Sequence, residues 1–156
     1  MKQKTARNIL LILLAFLGLG AMFGGGVLII SPSGKLFGMP LWLLRNSPFN
    51  DYLIPGIILF TVLGIAPIGV TIALIKRPAY KFAEVFNFYK DMYWGWTYGI
   101  YIAFALIIWI QIEITFLPAV HWSHTFYMFL AVAILFVALL PQVRSLYKSK
   151  QQEKQL

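Results

Sequence analysis

The chain has 156 residues, of which 60% are hydrophobic, 17% are aromatic and only 12% are charged, and its formal net charge is +8. A soluble domain of this length cannot bury so much apolar surface, so the composition predicts that lipid is the solvent. The basic residues stand beside apolar stretches, which argues against nucleic acid as a partner, and the absence of cysteine excludes disulfides and thiolate metal sites.

Four apolar stretches each approach the ~20 residues that a helix needs to cross the hydrocarbon. They run over about 8–30, 53–75, 94–117 and 119–140. The first is too long for the hydrophobic part of a signal peptide and lacks a cleavage site, so we expect it to remain as a span. The sequence predicts an all-α membrane protein with four transmembrane helices in one bundle, forming a single domain over 1–146 with a polar tail over 147–156.

Basic residues are distributed unequally between the connections. Eleven of the thirteen lysines and arginines lie before the first span, between the second and third spans, or after the fourth, and only Lys35 and Arg45 lie in other connections. Short cytoplasmic segments carry an excess of basic residues in membrane proteins. The distribution therefore predicts that both termini are cytoplasmic.

The two longer connections contain further elements. On the outer side, 31–51 includes the apolar run 40–44, which is too short to span, and Ser47-Pro48, which is typical of a helix start. We expect this connection to lie in the membrane interface as a lid over the bundle. On the inner side, polar residues recur every three or four positions in 79–93. That spacing predicts either an amphipathic surface helix or an extension of the third helix.

Small residues indicate where helices approach closely. Residues spaced four apart share one helix face and allow backbone contact within the bundle, in preference to a homodimer interface; they are Gly20 and Gly24 in the first span and Gly95, Gly99 and Ala103 in the third. Pro67 lies near the middle of the second span and removes a backbone hydrogen bond, which predicts a kink.

Glu113 is the one acidic residue that the sequence places inside a span, about one turn from the outer end of the third helix. If Pro118 begins the fourth helix, His121 and His124 lie on one face close to Glu113. Three interpretations are open. The group is a Glu–His contact that joins the two helices, a proton-linked or substrate-binding site, or a metal site with one Glu and two His ligands.

Two other polar residues are candidates for the same region. Gln111 is on a different helix face from Glu113 and is expected to bond across helices. Asp51 precedes the second span and is first interpreted as a helix cap. The sequence shows no nucleophile beside a base at motif spacing, and we expect no cofactor.

Several motifs resemble those of a family of small, uncharacterised bacterial integral membrane proteins with four spans. They are the glycine run at 24–26, Ser-Pro-Ser-Gly at 31–34, Gly-Met-Pro at 38–40, Ser-Pro-Phe-Asn-Asp-Tyr-Leu-Ile-Pro-Gly at 47–56, Trp-Ile-Gln-Ile-Glu-Ile at 109–114 and Leu-Leu-Pro-Gln-Val-Arg at 139–144. The family has no assigned activity, so the resemblance implies four spans and a bacterial inner membrane. It also makes Glu113 part of a family-like motif.

These observations favour a non-catalytic inner-membrane protein, an accessory or partner-binding component. Its expected partners are membrane lipids and another membrane protein or a second copy of itself. The alternative is a small proton-linked transporter or ligand-binding protein that uses Glu113. A third hypothesis is a membrane enzyme acting on a lipid, although the converging titratable groups that such chemistry needs are not evident.

Overall fold

The computed structural model describes residues 2–118 and 121–149. Four helices in this part of the chain are long and apolar enough to cross a membrane, at Gln3–Ile30, Leu53–Lys76, Trp94–Phe116 and Trp122–Leu139. They confirm the predicted all-α class with four spans. The first helix begins at Gln3, five residues before the predicted start at 8, because the polar residues 3–7 are also helical.

The helices are labelled in chain order: α1 (Gln3–Ile30), α2 (Leu53–Ile58), α3 (Ala66–Lys76), α4 (Lys81–Val85), α5 (Trp94–Phe116), α6 (Trp122–Leu139) and α7 (Pro141–Leu146). The second span consists of α2, a π-helical segment at Leu59–Ile65, and α3. We call the end that carries 31–52, 117–118 and 121 the loop end. The opposite end, with 2–7, 76–93 and 140–149, is the basic end.

The first helix occupies the centre of the bundle. It packs along the whole second span and against α6 and α7. Its inward residues, Leu10, Leu14 and Leu17, are at most 1% exposed. Large apolar side chains on the outside of the bundle are far more exposed, such as Phe23 at 70% and Phe129 at 70%. Such an outer surface suits contact with lipid, where apolar exposure carries no hydrophobic penalty.

The closest helix contact joins α1 to the second span. A Cβ added at Gly25 would lie 2.6 Å from the Phe60 backbone nitrogen and 2.7 Å from the Gly56 carbonyl oxygen, so only glycine fits there. One added at Gly18 would lie 3.0 Å from the Gly64 carbonyl oxygen. Glycines thus let the two backbones touch along this face.

The predicted pair in α1 lies beside this face. A Cβ at Gly24 would lie 3.6 Å from the Leu59 side chain, an ordinary contact, and one at Gly20 would lie 3.2 Å from the Tyr127 hydroxyl oxygen. The four-residue spacing of the glycines predicts a face of α1 that allows close packing. It does not predict which of the neighbouring glycine faces meets the second span. The small residues of α5, by contrast, are all buried, namely Gly95, Gly99 and Ala103.

Pro67 is buried in the first turn of α3. The π-helical segment ends at Ile65, two residues before it. Proline has no N–H to donate to the carbonyl of Leu63, and its ring crowds that carbonyl. The wider π turn accommodates this missing hydrogen bond. The irregularity that the proline predicts is therefore present as a π-helical segment.

Both longer connections differ from their predictions. In 79–93 only Lys81–Val85 is helical, and α5 begins at Trp94. The predicted extension of the third helix is therefore wrong, and the alternative, a surface helix, is limited to these five residues. Residues 47–51 form no helix either. The Ser47 hydroxyl donates to the Leu44 carbonyl oxygen at 2.8 Å and closes a turn. The outer connection instead contains two short 3₁₀ helices, Lys35–Phe37 and Leu41–Leu44.

The fourth span begins at Trp122 rather than near 119. Ala119 and Val120 lie outside the described residues. Beyond α7, the chain stays packed past 146. Tyr147 is 1% exposed, and the backbone N–H of Ser149 donates to the Asp91 carbonyl oxygen at 2.8 Å. Of the predicted polar tail, only 147–149 lies within the described residues.

Candidate functional site

Glu113 occupies the last turn of α5 at the loop end. Its Oε2 atom lies 3.6 Å from Nε2 of His124 in the first turn of α6. The Glu113 side chain is 31% exposed, whereas the His124 side chain is 6% exposed. The structure thus brings two of the predicted site residues together at the point where the third and fourth spans meet.

The start of α6 fixes the orientation of the His124 ring. Its Nδ1 atom accepts a hydrogen bond from the backbone N–H of His121 at 2.9 Å, as part of a capping box. An Nδ1 atom that accepts cannot carry a proton, so the proton of the neutral ring is on Nε2. That proton is directed toward Glu113. The helix cap therefore sets the tautomer that faces the carboxylate.

His121 does not join this pair. It is the N-cap residue of α6 and precedes the helix, so the predicted arrangement of both histidines on one helix face is wrong. Its Nδ1 atom lies 3.1 Å from the Ser123 hydroxyl oxygen. Within residues 2–118 and 121–149, no group of three or more His, Cys, Asp or Glu side chains is placed to hold a metal ion. The three-ligand metal hypothesis therefore does not fit this geometry.

A small cavity opens beside Glu113. Its volume is about 70 Å³, which is room for a few water molecules. Its walls come from the ends of α1 and α5, from the start of α2 and from the outer connection. The residues that line it are mainly apolar and include Leu28, Met39, Leu44, Phe49, Trp109 and Phe116. Glu113 is the one carboxylate among its lining residues.

The outer connection is held against this cavity by Tyr52. The Tyr52 side chain is 2% exposed and lines the cavity. Its hydroxyl donates to the Pro40 carbonyl oxygen at 3.2 Å. Burial raises the pKa of Tyr52, so the hydroxyl stays protonated and remains a donor. The backbone N–H of Tyr52 also donates to the Pro32 carbonyl oxygen at 2.9 Å.

Gln111 and Asp51 are close in sequence to the cavity but do not line it. Gln111 is exposed, and its Nε2 lies 3.5 Å from Oγ1 of Thr115, one turn along the same helix. Its contact is within α5, not across helices as expected, because this face of α5 points outward. Asp51 Oδ1 accepts from the backbone N–H of Leu53 at 2.9 Å, which closes the turn before α2. The N-cap residue of α2 is Tyr52, so the cap predicted at Asp51 is wrong by one residue.

The sequence did not single out a second polar cluster, which lies at the basic end. Asn87 is fully buried. Its Nδ2 donates to Glu84 Oε2 and to the Met92 carbonyl oxygen, both at 2.9 Å, and its Oδ1 accepts from the Thr97 hydroxyl at 2.6 Å. Thr97 lies ten residues from Asn87, so no helical spacing links them. Only the fold of the connection brings these side chains together.

Aromatic side chains complete the basic end. The indole N–H of Trp96 donates to the Ala138 carbonyl oxygen at 2.8 Å, and the Tyr147 hydroxyl donates to that of Leu74 at 3.1 Å. These carbonyls belong to the last turns of α6 and α3, where a helix leaves its own carbonyls without partners. Aromatic donors therefore cap two helices at this end.

This architecture defines an all-α membrane protein with a carboxylate–imidazole pair beside a cavity at one end of a four-helix bundle. The chain matches no protein-family model, no curated protein and no solved structure. What the site can do must therefore follow from its own chemistry. A carboxylate in an apolar cavity can accept hydrogen bonds from, or pair with, a cationic or N–H-bearing group.

Proposed function

We propose that this protein is a non-catalytic membrane component that binds a small, largely apolar molecule with a cationic or N–H-donating group. The binding site is the loop-end cavity, and Glu113 is the acceptor. One observation carries the proposal: Glu113 is the one carboxylate that lines a mainly apolar cavity. Ligand sites typically combine an apolar lining with a few polar groups that fix orientation.

The surroundings of Glu113 support binding rather than chemistry. Within the described chain, its one ion-pair partner is His124. The Nδ1 atom of His124 is occupied by the helix cap, so the ring is suited to orienting Glu113 and poorly suited to moving protons. A lipid-directed enzyme would need at least a second reacting group at this position.

The packing of the bundle between the cavity and the basic end supports binding of a ligand rather than its transport through the protein. Toward the basic end the core is filled by side chains that are at most 2% exposed, including Leu14, Leu106 and Ile134. A transported polar group would need partners along its path. We therefore favour a ligand-binding protein over a proton-linked transporter. Such a protein can still be an accessory component of a larger membrane assembly.

We further propose that the protein lies in a bacterial inner membrane with both termini in the cytoplasm. Every lysine and arginine in the described chain except Lys35 and Arg45 lies at the basic end. The positive-inside bias supports a cytoplasmic basic end. On that orientation the cavity opens on the outer side, and the outer connection forms its lid.

Binding can be tested with a matched pair of small quenchers. We propose to titrate the purified protein in detergent with 3-bromopropylammonium and with neutral 3-bromopropanol, whose bromine quenches tryptophan at contact distance. Trp109 lines the cavity, so the part of the fluorescence quenching that disappears in the Trp109→Phe variant measures binding in the cavity. We expect saturable quenching, with about tenfold tighter binding of the ammonium, the ratio expected of a charge-assisted hydrogen bond over a neutral one.

Two variants separate the carboxylate from its neighbours. Glu113→Gln should remove the preference for the ammonium probe, while Gln111→Ala, an exposed position on the same helix, should retain it. Equal quenching by both probes in the wild type would contradict the proposal, as would a preference that survives in Glu113→Gln. Thermal unfolding of each variant checks that the bundle remains folded.

A further inference from the structure

Arg77 adopts a backbone conformation that is costly for an arginine. It ends α3 with φ 52° and ψ 50°, the left-handed region, and is the one non-glycine residue with positive φ among the described residues. Glycine is the usual residue at such a helix end because a Cβ is disfavoured there. An arginine in this conformation suggests that its side chain has a role at this position.

The Arg77 side chain is held over an aromatic ring. Its guanidinium carbon lies 4.8 Å from the centre of the Tyr147 ring. Tyr147 is itself fixed, since it stacks against Tyr93 at 6.3 Å and donates its hydroxyl to the Leu74 carbonyl oxygen. The ring therefore holds a guanidinium at a defined place where the second span ends.

A second arginine stands at the start of α1, which packs against α7, and Tyr147 follows the last residue of α7. Burial raises the pKa of Tyr147, and the positive charges of Arg77 and Arg7 both oppose that rise. Arg7 also donates to the neutral Asn8 side chain at 3.1 Å. Two like charges near one another are unfavourable unless an anion lies between them.

The protein supplies no such anion in the part of the chain that the structure describes. The only ion pair within 4 Å there joins Glu113 and His124 at the opposite end of the bundle. At the basic end, the Glu84 carboxylate accepts from Asn87. Among the described residues, Arg7 and Arg77 therefore have no carboxylate within ion-pair distance.

The surroundings of the two arginines indicate what kind of anion fits. They lie at the end of two membrane-length helices, the depth at which lipid headgroups lie. Along α3, below Arg77, Ile72 is 47% exposed and Ile75 is 59% exposed. A Cβ added at Gly69 would meet nothing within 4 Å, so the surface of α3 is open there as well. An acyl chain can lie along this apolar face while its phosphate meets the arginines.

We propose that Arg77, held over Tyr147, and Arg7, at the start of α1, bind the phosphodiester group of an anionic phospholipid whose acyl chains lie along the exposed face of α3. Guanidinium groups suit phosphate because their planar forks donate two parallel hydrogen bonds. Basic sites between transmembrane helices are a recognised form of lipid recognition. This site is separate from the loop-end cavity and does not depend on the function proposed for it.

Lipid retention tests the proposal. The protein is placed in nanodiscs that contain equal parts of phosphatidylglycerol and phosphatidylcholine, and the lipids that remain bound after release are counted by native mass spectrometry. We expect retained phosphatidylglycerol in the wild type. Arg7→Gln and Arg77→Gln should each lower its retention about tenfold, the loss expected when a hydrogen bond to a charged group is removed.

Lys4→Gln is the matched control, because it removes one positive charge from the same end of α1 at an exposed position. It should change retention by less than about twofold. A loss equal to that of Arg77→Gln would show a diffuse charge effect and overturn the proposal. Displacement of the lipid by millimolar inorganic phosphate would overturn it as well, since the site would then select free phosphate.

Arg77→Gly separates lipid binding from folding. Glycine relieves the left-handed backbone, so in phosphatidylcholine alone the variant should have a melting temperature equal to or above that of the wild type. It should still lose phosphatidylglycerol retention. A lower melting temperature in phosphatidylcholine alone would mean that Arg77 serves the fold, and the proposed role of its side chain would be wrong.

Discussion

The two ends of the bundle are built differently. At the basic end, Asn87 is fully buried with three side-chain hydrogen bonds, and Trp96 and Tyr147 cap two neighbouring helices. At the loop end, the long connection is held by short turns and by the two hydrogen bonds of Tyr52. A cavity remains there beside Glu113.

The difference separates a rigid end from an adaptable one. Buried polar networks specify a unique arrangement when their members are satisfied, whereas a connection with few buried contacts can open at low free-energy cost. Binding sites are commonly found on the adaptable parts of a rigid scaffold. We infer that the basic end anchors the four helices and leaves the loop end free to admit a ligand.

Asn87 gives the largest expected effect. Asn87→Ala leaves the Thr97 hydroxyl and the Met92 carbonyl oxygen buried without their partner, so we expect the free energy of unfolding to fall by about 3 kcal/mol. Denaturant unfolding in detergent measures it. Asn46→Ala, the same exchange at an exposed loop-end position, should change it by less than about 0.5 kcal/mol. Similar losses in both variants would remove the contrast between the two ends.

A substitution at Gly25 tests the contact between α1 and the second span near the loop end. Gly25→Ala places a methyl group 2.6 Å from the Phe60 nitrogen and forces α1 away from the second span, so we expect a loss of about 2 kcal/mol. Gly24→Ala meets only the Leu59 side chain at 3.6 Å and should be close to neutral. Thermal unfolding distinguishes them. A more harmful Gly24→Ala would mean that the predicted glycine face, not the adjacent one, is the contact surface.

Tyr93 gives the smallest effect, confined to alkaline pH. Its hydroxyl donates to the Pro78 carbonyl oxygen at 3.1 Å, and burial raises its pKa from 10.0 to about 12, partly opposed by Arg77. The unfolded chain loses this proton first, so the folded protein binds more protons between pH 10 and 12 and its stability falls as pH rises through that window.

Tyr93→Phe removes this titration. We expect its free energy of unfolding to decline less steeply than that of the wild type between pH 10 and 12, while a modest, pH-independent loss reflects the missing hydrogen bond. Unfolding series at several alkaline pH values compare the two slopes. Parallel slopes would show that the Tyr93 hydroxyl is not protected from ionisation at the basic end.

Part of the candidate site could be predicted from the sequence. A single carboxylate in a 23-residue apolar helix is conspicuous, and a short connection to the next span puts His124 within reach. His121 could not be assigned, because its place depends on where α6 begins. A ring at the residue before the helix points in a different direction from a ring inside the first turn of that helix. The cavity was also beyond the sequence, since its walls come from four separate segments.

The amino-acid sequence by itself predicted that lipid surrounds the helices. It also determined that four helices are long and apolar enough to cross a membrane and that the basic residues are distributed unequally between the connections. These depend on transfer free energies that each segment carries independently of its neighbours. Only the tertiary structure decided that Gly25 rather than Gly24 meets the backbone of the second span, that Asn87 meets Thr97, and that a cavity lies beside Glu113. Such pairings depend on helix rotation and on the path of the connections, which are set by packing between segments distant in the chain.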